Sequence, residues 1–504
     1  MYPLLFSLVY LLYFYSTGIN YSYFTPQLLL KSALWITAYW LPIIVYCKWK
    51  RKDKLLFFIF VFHILVFLGK PVTLALFPNS QQCTWFYPYR YIYFSIVFIL
   101  LSIGCWFWIR SRAGWNKKIT QILNIACLVL LALMGQRVMA IYPYIVDSHK
   151  NHVALNQKSV LPNIYHICLD MHMGQQGLMD GFKYDNSRFY QQLGDLGFWY
   201  DLNSKSNYTV TLPSFASMFQ MNYLEQVNAQ QCVHIIKTQA TALDVLRQNG
   251  YHLVHYSVHN AFHSDSFDHT HNKHRAYFAY EPIVAQSAVG RLLKHLSCKL
   301  HSMACLEGIN DACYGKEIYG TKGNYFFIHI VCPHWPYLWT PNSWAEHNKH
   351  FDYNIADYEN LNSIRTNLIT QYKHIDSLAL YAIREILNQY DEDHKPIIIL
   401  HGDHGLDIIP FDITPQALEE KHKLNFSNLY AIYLPKQYRQ ALPPPPGLAN
   451  TFRWLFNTLF NTQYPYLESK QMVWHQETSF CDVTEFINRE AINTKSAIQQ
   501  TQEN

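Results

Sequence analysis

The chain has 504 residues, 50% of them hydrophobic and 16% aromatic, which is too long for one small domain and too apolar for a wholly soluble protein. Its formal charge of +5 is a difference between unlike parts: residues 1–160 hold 15 Lys and Arg against 2 Asp and Glu, and the remainder holds 25 against 33. A basic amino-terminal part followed by an acidic one excludes reading the net charge as an affinity for nucleic acid, and no nucleic-acid partner is expected.

Taken in chain order, apolar runs lie near residues 3–19, 27–47, 55–77, 91–109 and 119–136. A hydrocarbon core needs about 20 residues per helix, so these runs predict five transmembrane helices. The basic stretches "KWKRKDK" (Lys48 to Lys54) and "RSRAGWNKK" (Arg110 to Lys118) follow the second and fourth runs, whereas the loops after the first and third are almost uncharged. Basic loops stay on the cytoplasmic side, which puts the amino terminus inside and everything after Ile141 outside. The start, "MYPLLFSLVYLLYFYS", has neither a basic beginning nor a small-residue cleavage site, so an uncleaved first helix is expected rather than a signal peptide. The predicted organisation is a membrane anchor over 1–138, a linker over 139–160 and an extracytoplasmic domain over 161–504. The aromatic stretch "CTWFYPYRYIYF" (Cys83 to Phe94) suits an interfacial belt or a head-group entrance.

Three of the 11 cysteines, Cys47, Cys105 and Cys127, fall in or beside the apolar runs and read as small packing residues. Cys298, Cys305 and Cys313 crowd into "SCKLHSMACLEGINDAC", where a disulfide is expected over a metal site, with the pairing open.

From Leu161 onward, short runs rich in Ile, Val, Tyr and Phe alternate with longer segments of helical period, the pattern of an α/β/α sandwich with a mostly parallel sheet. The runs "NIYHICLD" (Asn163 to Asp170), "NYFFIHIVCPHWPY" (Asn324 to Tyr337) and "PIIILHGDHG" (Pro396 to Gly405) each end in Asp or His. A polar turn after a core strand is the plain reading of Asp403 and His404 alone. In a parallel sheet, however, the ligand crevice lies outside the carboxyl ends of the strands, so all three endings converge and a metal site becomes the better reading. Between the second and third runs, residues 363–390 have apolar positions at helical spacing and predict a long packing helix. "LPPPPG" (Leu442 to Gly447) predicts an extended surface loop, "TFRWLFNTLF" (Thr451 to Phe460) a helix, and the polar tail after Glu485 is expected to fray. The histidine-rich piece from Tyr251 to His274 reads as a strand followed by a polar loop, with structural or solvated histidines favoured over ligands. There is no internal repeat.

A fourth stretch, "SNYTVTLPSFASMF" (Ser206 to Phe219), leads through Thr211 into a helical pattern. By itself Thr211 reads as an N-cap. Beside a metal it reads as a nucleophile, because a divalent ion lowers a hydroxyl pKa from about 15.7 toward about 7, and a helix amino terminus offers N–H groups to a phosphate.

These four stretches, in this order, resemble the alkaline phosphatase superfamily, and within it the sulfatase-like membrane enzymes that transfer phosphoethanolamine or phosphoglycerol to envelope glycolipids. The resemblance spans Leu161 to Leu467 and implies an anchor of five helices. It implies that Asp170, Asp403 and His404 bind one divalent metal, Zn or Mn, and that Thr211 is the nucleophile completing the metal sphere. It implies that His334 binds the phosphate or protonates a leaving oxygen, with His422 the nearest candidate for a second such imidazole. A phospholipid donor, a glycolipid or polysaccharide acceptor, and a bacterial inner membrane location with a periplasmic or extracellular catalytic domain follow from the same resemblance. Sulfatases need a Cys or Ser in a Cys-x-Pro-Ser-Arg setting for formylglycine. Here the stretch is Thr-Leu-Pro-Ser-Phe with Phe215 in place of the arginine, which disfavours sulfate-ester chemistry. Met171 after Asp170, where two-metal relatives place another acid, favours one metal over two. A phosphodiesterase or phosphatase of the same fold is the alternative reading, and a decayed envelope scaffold a remoter one.

Overall fold

The computed structural model describes residues 1–16, 26–67, 117–141, 161–257, 267–271, 323–334, 339–340, 343–344, 361–406, 423–441, 443–475 and 479–488. It divides into two compact units, one holding the described helices up to Ile141 and the other the described residues from Leu161 onward.

The first unit contains α1 (Tyr2–Ser16), α2 (Pro26–Trp49), α3 (Asp53–Phe67) and α4 (Lys117–Ile141). Tyr2, Leu5, Phe60 and Cys127 form one buried cluster, with Tyr2 edge-on to Phe60 at 4.9 Å, and Trp40, Ile44, Cys47 and Leu56 form another. The Trp40 indole N–H donates to the Ser7 hydroxyl at 2.9 Å. Elsewhere the helices show apolar side chains outward: Leu30, Trp35 and Trp49 on α2, and Ile122, Leu133 and Met139 on α4, are exposed. Among the described residues, two helical segments are long and apolar enough to cross a membrane, Leu29–Trp49 and Thr120–Met139, with mean hydropathies of 1.4 and 1.9. Within the described residues, the runs predicted near 3–19 and 55–77 hold α1 and α3, of 15 residues each. The fourth predicted run (91–109), the aromatic stretch after Cys83, Cys105 and the Cys298–Cys305–Cys313 group lie outside the described residues.

In the second unit, the predicted runs become strands at the centre of a seven-stranded sheet. Its strands are β1 (Ile164–Leu169), β2 (Phe198–Tyr200), β3 (Tyr251–Ser257), β4 (His269–His271), β5 (Gly323–Ile330), β8 (Ile397–His401) and β9 (Tyr430–Tyr433), in the order β2-β9-β8-β1-β5-β3-β4. Two small antiparallel pairs lie outside it: β6 (Trp339–Thr340) with β7 (Ser343–Trp344), and β10 (Met472–His475) with β11 (Ser479–Asp482). From β8 through β4 the neighbours are parallel, while β9 runs antiparallel to β8 and β2 antiparallel to β9. The register aligns Cys168 with both His329 and His401, so β1, β5 and β8 leave the sheet at the same level.

Among the described residues, the helices of this unit are α5 (Gln175–Phe182), α6 (Ser187–Asp195), α7 (Thr211–Gln220), α8 (Ala229–Thr238), α9 (Thr241–Gln248), α10 (Leu361–Asn388) and α11 (Thr451–Phe460). Residues alternate between the two sheet faces with period two. One face, with Tyr165, Ile167, Leu169, Phe326, Ile328, Ile330, Ile398 and Leu400, packs on Phe189 and Leu193 of α6 and on Ile375, Ile383 and Ile386 of α10. The other face carries Phe327 against Phe215 (5.4 Å) and Phe219 (5.2 Å) of α7, and His166 against Phe452 (5.7 Å) of α11. Full burial of a Phe ring stabilises by roughly 1.5–3 kcal/mol, and with both faces covered the central strands read as continuous apolar runs.

The long helix predicted over 363–390 is α10, and the one over 451–460 is α11. The stretch 443–447 carries no helix or strand. The histidine-rich piece gives β3 where a strand was predicted. Part of the predicted loop, however, returns as β4 alongside it, because the edge of β3 has unpaired backbone groups to satisfy. His255 is buried between the rings of Phe267 (4.9 Å) and Phe327 (5.5 Å).

Candidate metal centre

β1 runs on into Asp170, whose N–H continues the ladder to the Ile330 carbonyl at 2.9 Å. The chain then turns through Met171, which takes a left-handed φ of 64°, and His172 N–H closes the turn on the Leu169 carbonyl at 3.1 Å. At the neighbouring strand end, β8 leaves through Gly402. A Cβ at Gly402 would collide with the His172 carbonyl, and one at Gly405 with the Leu424 carbonyl, so both glycines are required by close backbone approach. That is why an apolar strand ends in a carboxylate and an imidazole flanked by glycines.

These two strand ends bring three side chains together. One ligand-competent atom from each of Asp170, Asp403 and His404 lies within 4.8 Å of the others, and all three residues are buried. Asp403 Oδ1 accepts from the backbone N–H of Met171 and of His404, both at 3.0 Å, which leaves Oδ2 without a hydrogen-bond partner among the described residues. Asp170 Oδ2 accepts from His329 Nε2 at 3.1 Å, and its Oδ1 is likewise unpartnered. His404 Nδ1 faces the Gly405 carbonyl at 2.8 Å; a carbonyl only accepts, so Nδ1 carries the proton and Nε2 the lone pair. Nε2 lies 3.5 Å from Asp403 Oδ2 and 3.9 Å from Asp170 Oδ1.

Thr211 stands at the same point, its Oγ1 3.2 Å from His404 Nε2. It is the first residue of α7, and the N-cap position belongs to Val210, whose backbone is extended. The plain reading of Thr211 as an N-cap is therefore corrected: its hydroxyl faces the acidic cluster instead of closing the helix. Pro213 has no N–H, so of the first three helical positions Thr211 and Leu212 carry donors. The preceding loop is fixed by Ser206, whose hydroxyl donates to the Tyr208 carbonyl at 2.8 Å and whose N–H donates to the Phe426 carbonyl at 2.8 Å. Phe215 is fully buried and lies 5.1 Å from the His329 ring, filling with apolar volume the place where the sulfatase pattern has an arginine.

The electrostatics set the two carboxyls apart. Burial works against ionised Asp170, yet the His334 charge and the hydrogen bond from His329 outweigh it and hold Asp170 below the usual carboxylate range. Asp403 moves the other way: burial first and the Asp170 charge second raise it, against the weaker pull of His329 and the Met171 N–H. Two buried carboxylate oxygens without donors, beside an imidazole nitrogen with its lone pair exposed to them, constitute an electrostatic deficit that a cation removes. An oxygen-rich set with one imidazole and a hydroxyl fits a divalent ion, zinc and manganese alike.

His334 lies just beyond β5, partly exposed, with its N–H donating to the Asp170 carbonyl at 2.9 Å. His422 lies outside the described residues. His329 was passed over in the sequence although it stands in the quoted stretch "FFIHIV". Its signal was the period of the strand: it shares the Phe327 face, opposite Ile328 and Ile330, at the end where Asp170 leaves the neighbouring strand.

Comparison with protein-family models and with curated sequences returns no match. Among solved structures the chain is similar to the C-terminal periplasmic domain of EcEptC from Escherichia coli, with a TM-score of 0.42 and 9% identity over 64% of this chain and 93% of that one. It is similar to the integral membrane lipooligosaccharide phosphoethanolamine transferase A (EptA) from Neisseria meningitidis, with a TM-score of 0.40 and 13% identity over 90% of this chain and 95% of that one. A protein in the alkaline phosphatase superfamily from Vibrio parahaemolyticus also matches, with a TM-score of 0.35 and 11% identity over 64% of this chain and 76% of that one. At such identities the roles of individual residues rest on the distances above.

Proposed function

We propose that this chain is a metal-dependent phosphoryl-group transferase that moves a phospholipid head group onto an envelope glycolipid or glycan through a phosphothreonine diester. The observation that carries the reading is the convergence of unpartnered Asp170 Oδ1 and Asp403 Oδ2 on His404 Nε2, with the Thr211 hydroxyl beside them. In this reading residues 1–138 anchor the protein in a bacterial inner membrane through five helices, 139–160 link, and 161–504 work on the outer face, where donor and acceptor are met at one surface.

Asp170, Asp403, His404 and Thr211 would hold one zinc or manganese ion. Bound there, the ion supplies a lower hydroxyl pKa and an offset to phosphate charge. The chain's own residues supply the rest. The Thr211 hydroxyl, partly exposed at the start of α7, gives its proton to solvent, and Oγ1 bonds to phosphorus as the bond to the donor's leaving oxygen breaks. His334 hands a proton to that oxygen. A sugar hydroxyl then gives its proton back to His334, bonds to phosphorus and displaces Oγ1, which takes up a proton from solvent, so the hydroxyl is restored and the kinetics are ping-pong. His329 keeps Asp170 ionised and oriented through its 3.1 Å hydrogen bond. Thr211 and Phe215 stand where formylglycine chemistry needs a Cys or Ser and an arginine, which disfavours that route to sulfate esters and favours phosphorus.

The test is mass spectrometry of the full chain after incubation with phospholipid vesicles. A phosphoethanolamine or phosphoglycerol adduct is expected on Thr211 and absent from Thr211→Ala, with turnover in that variant lowered on the order of a thousandfold or more. A metal-loaded chain that releases a head-group phosphate into water and never carries the adduct would overturn transfer in favour of hydrolysis.

A further inference from the structure

Two consecutive side chains of α10 connect the loops that carry the candidate site. Tyr372 is fully buried, and its hydroxyl both donates to the Met171 carbonyl at 2.8 Å and accepts from the Met173 N–H at 2.9 Å. A phenylalanine would fill the same volume, so packing alone does not call for the oxygen. The two groups it joins belong to Met171 and Met173, on either side of His172, in the turn where Met171 is held in a left-handed conformation that a non-glycine residue keeps only when its surroundings over-determine it. The Met171 N–H of that turn is one of the two donors to Asp403 Oδ1. The hydroxyl thus reaches Asp403 through one backbone residue.

Gln371, one position earlier and about 100° around the helix, serves the other loop. Its amide Nε2 donates to the carbonyls of Pro333 at 2.9 Å and His334 at 3.0 Å, using both of its hydrogens. One turn further on, Asp376 fastens the same region from below: Oδ1 accepts from His172 Nε2 at 2.7 Å and Oδ2 from Asn186 Nδ2 at 2.8 Å. The loop after β1 and the loop after β5 are also tied directly, His334 N–H to the Asp170 carbonyl. A single helix, itself packed on the sheet, therefore holds both loops in one frame.

We propose that Tyr372 and Gln371 are positioning residues: Tyr372 sets the orientation of the Asp170–Asp403 pair toward a cation, and Gln371 sets the placement of His334 relative to that pair. The inference rests on the metal reading above. Outer groups that orient metal ligands typically change metal affinity or activity about 10- to 100-fold when removed.

The experiment uses the full chain in detergent and measures Zn²⁺ affinity by competition with a chromophoric chelator, the melting temperature of the metal-free protein, and turnover of bis(para-nitrophenyl) phosphate. Tyr372→Phe is expected to weaken Zn²⁺ binding about 10- to 100-fold. Gln371→Met is expected to keep Zn²⁺ affinity within about twofold and to lower kcat about tenfold with KM little changed, since it acts on His334 and not on the ligands. Unchanged Zn²⁺ affinity in Tyr372→Phe, even with a lower melting temperature, makes the hydroxyl a merely satisfied core group and overturns its role. If Tyr372→Phe does not fold, Gln371→Met decides: wild-type kcat, or a loss of Zn²⁺ affinity instead of kcat, overturns the division of labour. The metal reading fails separately, in the unsubstituted chain, if that chain binds no Zn²⁺ or if Asp403→Ala binds it equally well.

Discussion

Asp403 divides its two oxygens between structure and chemistry: Oδ1 is saturated by two backbone N–H groups, and Oδ2 has none. Replacing it by Asn keeps the Oδ1 acceptor and puts an N–H₂ where the unpartnered oxygen stood, facing Asp170. Asp403→Asn is therefore expected to abolish stoichiometric metal binding and, in the metal-free state, to raise stability by about 1–3 kcal/mol, the usual cost of an unsatisfied buried polar group. Metal analysis and urea unfolding of metal-free protein check both halves; a metal-free variant less stable than wild type would show that the carboxylate is not under strain. The residue types at this centre were readable in order, because Asp170, Thr211, Asp403 and His404 each stand at a strand end or helix start that local pattern marks. The strand period put His329 on the Phe327 face, but its role depends on which strand lies beside β1, and that local pattern does not supply.

At the scale of elements, the site depends on how closely two strand exits approach. Gly402 and Gly405 sit where a side-chain carbon would meet the carbonyls of His172 and Leu424. Gly405→Ala is expected to destabilise the second unit by more than about 2 kcal/mol, since the obstacle is backbone and not a flexible side chain; urea unfolding measures it, and an unchanged midpoint would mean that the loop at Leu424 yields freely. The helix over 451–460 was legible to the residue because apolar positions recur at helical spacing after a proline-rich loop. Thr211 was less so: a threonine before a helical run is by local statistics an N-cap, and only the neighbouring strand end turns its hydroxyl elsewhere.

At the scale of the molecule, the second unit buries several imidazoles on one sheet face. His166 Nε2 and His401 Nε2 lie 2.7 Å apart, with the other ring nitrogens on the Tyr325 hydroxyl and the Gly402 carbonyl. Burial lowers both, His401 to about 4 and His166 well below its usual value. The unfolded chain binds a proton on His401 below about pH 6.5, whereas the folded chain refuses it until about pH 4, so stability rises with pH across that window. Acidifying through it is expected to remove on the order of 3 kcal/mol through His401, with His166 acting in the same direction. The melting temperature of metal-free protein between about pH 7 and pH 5 reads this out, and a flat profile would contradict it. The topology proposal has its own test in Cys481, which is exposed. A membrane-impermeant thiol reagent applied to intact spheroplasts is expected to label it; labelling only after lysis would place the second unit inside.

The sequence by itself determined the division into an apolar basic part and an acidic α/β part, the three apolar strands of the sheet centre and, within two residues at each end of the first, the helices predicted over 363–390 and 451–460, because burial demands a periodic pattern wherever it occurs. It also marked the chemistry-bearing residues at the ends of those elements. Only the tertiary structure decided that β8, β1 and β5 are adjacent and end level, which brings Asp170, Asp403, His404 and Thr211 to one point and seats His329 and Tyr372 behind them. The reason is that a side chain's local environment repeats along the chain and can be read there, whereas a contact between residues some 200 positions apart, such as Tyr372 with Met171 or His404 with Thr211, is set by strand order and register.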